Sequence, residues 1–178
     1  MAGPISIGQE LDTKKRLARD IIVIGASAGG IAALKELTSH LAPDLNASLF
    51  IVQHIMASRR SELPKILSGS GRLPAVHPVS GQHIEPGVIY VAPPDYHLII
   101  EDGAVQLWHG PKENYHRPAI NPLFRSAAVT YGERVIGVIL SGSLDDGVSG
   151  LWGVKKYGGV TIVQDPQKPN SHKCHITQ

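Results

Sequence analysis

Five short runs in this chain are almost wholly apolar: Asp20 to Ile24, Ala47 to Val52, Val88 to Val91, Val135 to Leu140 and Val160 to Val163. A strand with one wet face would alternate apolar and polar residues. These runs do not, which is the pattern of strands covered on both faces. Between them lie stretches with helical spacing. Ile31, Leu34, Leu37 and Leu41 recur at that spacing while Lys35, Glu36 and His40 face away, predicting a helix from Gly29 to Leu41. Further helices are expected over Ser61 to Ser68, provided Pro64 falls in the first turn, over Ala119 to Tyr131 and over Gly147 to Tyr157. His97 to Trp108 reads as a β-hairpin turning at Asp102-Gly103, an antiparallel insertion or edge. Strands alternating with helices in this way predict an α/β fold. The sheet should be mostly parallel, with helices on both faces in a Rossmann-like three-layer arrangement.

A chain of 178 residues suffices for one such domain with a buried core. Residues 1–19 read as a polar lead-in with a basic end, "KKRLAR", containing a helical turn or two, and 167–178 as a polar tail. The net charge of +2 is too small to argue for nucleic acid or an anionic membrane as the main partner. No secretion signal and no apolar run of membrane-spanning length is visible, and the single cysteine, Cys174, cannot form an internal disulfide. A cytoplasmic protein without membrane insertion is therefore expected. His172, Cys174 and His175 crowd together near the end, but without a second ligand cluster they read as part of a poorly ordered tail, not a metal site. No cofactor is expected.

Ligands of open α/β sheets bind beyond the carboxyl ends of the strands. Three such ends are unusual here. The first run enters Gly25-Ala26-Ser27-Ala28-Gly29-Gly30, the second ends in Gln53-His54, and the run from Val135 continues into Ser141-Gly142-Ser143-Leu144-Asp145-Asp146-Gly147. The glycine spacing fits neither nucleotide-binding fingerprint, and no acidic residue closes the second strand. Residues 25–29 do satisfy G-x-S-x-G, a tight strand-to-helix turn that thrusts its serine into the open. Taken singly, Ser27 could equally be a helix N-cap, His54 is one of nine histidines, and Asp145 or Asp146 could cap the next helix. Taken together, a hydroxyl, an imidazole and a carboxylate lie just past strands in one sheet. These are the three groups a serine nucleophile, its base and the base's partner require.

The blocks "VIGASAGG", "FIVQHIMAS", "IEPGVIYVAPPDYHL", "HRPAINPLFRSAA" and "VIGVILSGSLDDGVSGL", spread in order from about Asp20 to about Pro166, resemble the catalytic domain of CheB-type chemotaxis protein-glutamate methylesterases. The resemblance implies a methylesterase-like catalytic domain over residues 20–166. It implies hydrolysis of glutamate γ-methyl esters on methylated chemoreceptor cytoplasmic regions, with methanol released, and deamidation of receptor glutamines as a related activity. By motif, it implies Ser27 as nucleophile, His54 as base and Asp146, which precedes the glycine of the "DG" pair, as orienting acid. Asp145 is then a neighbour or a helix cap. The backbone around Ala28 and the Ser143 loop are candidate oxyanion donors. Arg117 either shapes the cleft, meets an acidic receptor surface or serves a structural ion pair.

Three departures from the family pattern carry expectations. No receiver domain precedes residue 20, so the phosphorelay control usual in the family is absent from this chain. Asn121 stands where the family more often has aspartate, removing a charge near the cleft. "QKPNSHKCHITQ" matches nothing expected at the end, which predicts an uncovered sheet edge, self-association through it and impaired catalysis. The competing function is a binding module of the same fold that grips a signalling protein without catalysis.

Overall fold

The computed structural model describes residues 18–27, 29–56, 60–140 and 145–165, and the backbone of 174–177. In chain order the elements are β1 (Ile21–Ala26), α1 (Gly30–Ser39), β2 (Ser48–Gln53), α2 (Leu63–Ser70), β3 (Ala75–Val76), β4 (Gln82–His83), β5 (Ile89–Val91), β6 (His97–Glu101) and β7 (Ala104–Trp108). They continue with α3 (Ile120–Tyr131), a 3-10 turn (Gly132–Arg134), β8 (Val135–Leu140), α4 (Val148–Lys156), β9 (Val160–Gln164) and β10 (Cys174–Thr177). A seven-stranded sheet runs β10-β9-β8-β1-β2-β5-β3, parallel throughout except where β10 meets β9.

Burial along the central strands explains why their sequences do not alternate. Val23, Phe50 and Tyr90 point to one face, where they meet Leu123, Phe124 and Ala127 of α3 and Val154 of α4. Ile24, Leu49, Ile51 and Val91 point to the other, against Leu34 of α1 and Leu63 and Leu67 of α2. Successive side chains of a strand go to opposite faces, so two covered faces demand apolar residues at every position. The expected α/β class and the helices on both faces are what the structure has.

Several boundaries differ from the sequence reading. β1 extends two residues past Ile24, because Gly25 and Ala26 still pair with Val52 and Gln53. α2 begins later than Ser61 and carries Pro64 in its first turn, where a missing N–H costs nothing. In α1, Ile31 is exposed, and Gly30, Leu34 and Thr38 are the buried residues. The hairpin turns at Asp102-Gly103, both at positive φ. It belongs to a separate three-stranded antiparallel sheet, β4-β7-β6, rather than to the edge of the main one.

The tail departs most from expectation. Residues 174–177 form β10, which pairs antiparallel with β9 from Cys174 opposite Gln164 to Thr177 opposite Thr161. The physical reason lies in the backbone: β9 would otherwise present unpaired amides and carbonyls, and any extended segment can satisfy them whatever its polarity. The expected uncovered edge at β9 is therefore occupied by the chain itself. Residues 1–17 of the lead-in expected over 1–19, and the side chains of His172, Cys174 and His175, lie outside the described residues.

Candidate active site

β8, β1 and β2 are neighbours in the sheet and in register at their carboxyl ends, Ala26 facing Leu140 on one side and Gln53 on the other. Ser27, directly after β1, and His54, directly after β2, therefore emerge at one level, and Asp146 lies shortly before α4. His54 Nδ1 lies 3.2 Å from Ser27 Oγ and His54 Nε2 lies 2.8 Å from Asp146 Oδ2.

A carboxylate only accepts, so His54 Nε2 carries the proton it gives to Asp146 and leaves the Nδ1 lone pair for the serine hydroxyl. The nitrogens are used the opposite way round from the trypsin-like triad, where Nε2 meets the serine and Nδ1 the aspartate. The order of donors is the same and so is the tautomeric logic.

Asp146 is buried, and α3 makes that tolerable. Its Oδ2 accepts the N–H of Ile120 at 2.7 Å, and its Oδ1 accepts the N–H of Asn121 at 3.2 Å and Asn114 Nδ2 at 3.3 Å. The unpaired amides of a helix N-terminus favour an anion. Burial works to raise the carboxyl's pKa, but the hydrogen bonds from His54 and then from Ile120 and Asn121 outweigh it and hold the value below the ordinary one. Asp146 is an anion at neutral pH.

Two glycines allow these elements to approach. A Cβ on Gly25 would sit 2.6 Å from Ile120 Cγ2, so α3 could not begin against β1. Gly147 has φ +104° and a Cβ there would meet Ile139 Cδ1 at 2.6 Å, so the sharp turn after Asp146 excludes a side chain. The Ser27 turn is held from two sides. Its carbonyl accepts Gly30 N–H at 2.9 Å and Gln53 Nε2 at 2.8 Å.

Beside His54 opens a cleft of about 330 Å³ lined by Ile55, Met56, Lys112, Tyr115, His116 and Arg117. Met56 and Tyr115 at this cleft are exposed.

A family model described as CheB methylesterase matches residues 22–173 of the chain. A protein of Leptospira interrogans, provisionally named a protein-glutamate methylesterase/protein-glutamine glutaminase, is 40% identical over 148 residues, 83% of this chain and 77% of that one. The chain belongs to the CheB methylesterase family. A Methanosarcina acetivorans protein-glutamate methylesterase/protein-glutamine glutaminase is 38% identical over 159 residues, 85% of this chain but only 45% of its relative. The crystal structure of the Thermotoga maritima CheB methylesterase catalytic domain superposes with TM-score 0.79 at 33% identity, covering 85% of this chain and 82% of that one.

Within this CheB-type domain the remaining sequence candidates separate. Arg117 lies at the cleft but is committed to a structural ion pair. Its Nε and Nη2 both reach Asp95 Oδ1, at 2.9 and 2.6 Å, and its Nη1 reaches the Gly110 carbonyl at 2.7 Å. Asp145 is exposed, and its carbonyl, not its side chain, accepts an amide of the first turn of α4, that of Val148. The cap of that helix comes from α3: Asn121 Oδ1 accepts Gly147 N–H at 3.1 Å and Gly150 N–H at 2.8 Å. Asn121 is thus a buried acceptor under the Asp146 turn. Ala28 and Ser143 lie outside the described residues.

The sequence reading passed over four residues that shape this CheB site: Gln53, Asn114, Lys112 and His116. Gln53 and His116 are the chain neighbours of His54 and Arg117. Their signal was proximity along the chain to a motif residue, which says nothing about direction.

Proposed function

We propose that this domain is a serine esterase that hydrolyses glutamate γ-methyl esters on the cytoplasmic region of methylated chemoreceptors. The observation that carries the reading is the continuous hydrogen-bonded chain Ser27–His54–Asp146 at the carboxyl edge of β1, β2 and β8. Membership of the CheB methylesterase family supports the substrate class.

Ser27 Oγ attacks the ester carbonyl while His54 Nδ1 takes its proton, and Asp146 stabilises the imidazolium that forms. Collapse of the tetrahedral intermediate expels methoxide, which leaves as methanol with the proton from His54. Water then attacks the glutamyl ester of Ser27, again giving its proton to His54, and the γ-carboxylate departs as Ser27 is restored. With a receptor glutamine the same steps release ammonia in place of methanol.

Incubation with a methyl-labelled receptor fragment is expected to release methanol from the wild type. Ser27→Ala should release none above background. Equal release by the two proteins overturns the assignment of the nucleophile.

A further inference from the structure

His116 lies face to face with His54. Their ring centroids are 3.7 Å apart and the planes differ by 5°. The loop that carries His116 is held at several points. Glu113 and His116 exchange both backbone hydrogen bonds, at 3.1 and 2.9 Å, and the Glu113 carboxylate takes two bonds from Arg125, at 2.9 and 2.6 Å. The neighbouring Arg117 is fixed on Asp95 and Gly110. Asn114 of the same loop donates to Asp146, so one anchored segment touches both the imidazole and its carboxylate.

Hydrogen bonds to Ser27 and Asp146 fix the two nitrogens of His54, but they leave the ring able to swing about the line that joins those atoms. A parallel ring in contact with one face opposes that motion. The same face meets the positive charge that His54 gains when it takes the serine proton, and an uncharged aromatic face attracts a cation. A second imidazolium there would repel it.

We propose that His116 is a positioning residue for His54, its uncharged ring holding the plane of the base and accepting against its face the charge that develops in the reaction. The proposal rests on the reading of Ser27 as nucleophile. The ionisable groups around His116 are His54, Asp146 and Lys112. Burial lowers the pKa of His116, the positive charge available at His54 and Lys112 lowers it further, and Asp146 opposes them without prevailing. The ring is uncharged at neutral pH and gains its proton only on the acid side.

The test measures the rate at which a fluorophosphonate labels Ser27 in the full chain, from about pH 8 to about pH 5.5, where histidines change charge. This readout needs no receptor. His116→Ala is expected to label about tenfold more slowly than the wild type at the upper end, since a misaligned base loses at least that much. His116→Phe, which keeps the stack, should stay within about twofold of the wild type there and overtake it as the pH falls, because it cannot gain the competing proton. A merely structural role would leave the ratio of the Phe variant to wild type constant with pH, and that result overturns the proposal even if the Ala variant fails to fold. Wild-type labelling by a folded His116→Ala also overturns it. A folded wild type that is not labelled at Ser27 removes the nucleophile reading itself, and this proposal with it. Labelling of the wild type with no effect of His116 leaves the esterase reading intact.

Discussion

Asp146 Oδ2 accepts the backbone N–H of Ile120 at 2.7 Å, the first residue of α3, on the same oxygen that receives His54 Nε2 at 2.8 Å. The carboxylate that orients the base is thereby seated on a helix N-terminus, where its charge is favourable. Asp146→Asn keeps the shape and removes the charge. An amide can present its NH₂ to His54 and force the opposite tautomer, taking the lone pair away from Ser27. The expected loss in turnover is about 10⁴-fold, the size seen for this exchange in a trypsin-like triad. Methanol release, measured with enough enzyme to see that residue of activity, checks it; a loss under about tenfold would separate Asp146 from the chemistry.

Stability should fall with acid through the same group. The pKa of Asp146 is lowered in the folded chain, so the unfolded chain binds the proton first as pH drops. The stabilisation is complete above the ordinary carboxylate range and is lost as pH falls through the lowered folded value. Asp95 adds in the same direction, held down by Arg117 and then by His109. Denaturant midpoints between about pH 7 and about pH 3 should decline less steeply for Asp146→Asn than for the wild type. Parallel declines would assign the acid sensitivity elsewhere.

Ser27→Ala separates catalysis from folding. Within the described residues the side-chain oxygen of Ser27 meets His54, while the turn is held through the backbone carbonyl by Gly30 and Gln53. Removing the hydroxyl should therefore abolish hydrolysis while shifting stability by no more than about 0.5 kcal/mol. Thermal melts and the ester assay on one preparation decide it. A large drop in melting temperature would mean that the hydroxyl has a structural duty in the turn.

The fold was legible because the central strands β1, β2, β5 and β8 are covered on both faces. Val23 and Ile24, or Phe50 and Ile51, face opposite cores, and that requirement is written as an unbroken apolar run. β3 and β4, of two residues each, are too short to carry a period. Ile31 fits the helical pattern yet is exposed, lining a cleft together with Gln53 and His54. Ser27 and His54 could be read because each directly follows a strand of the sheet, whereas Asp146 was separable from Asp145 only through the resemblance, by the glycine that follows it. His116 could not, because its place over His54 depends on how the loop after β7 folds back, through Glu113, Arg125, Asp95 and Arg117. Arg117 was recognised as a residue of interest, but its choice of Asp95 is a tertiary fact.

Asn121 offers the last test, because it connects the two helices that meet beneath the site. Its Oδ1 accepts the amides of Gly147 and Gly150, while its own N–H is given to Asp146. Asn121→Ala leaves two buried donors at the start of α4 without an acceptor, and each such donor costs about 1–3 kcal/mol. The α4 turn should loosen, lowering the melting temperature and, by displacing Asp146, the turnover. Asn121→Asp keeps the acceptor but places a second anion beside Asp146. Like charge disfavours ionisation, so the acid limb of kcat/KM should move to higher pH while α4 stays capped. Melts and pH–rate profiles of the two variants distinguish the roles. An Ala variant as stable as the wild type would deny the cap, and an Asp variant with an unmoved acid limb would deny the electrostatic coupling between positions 121 and 146.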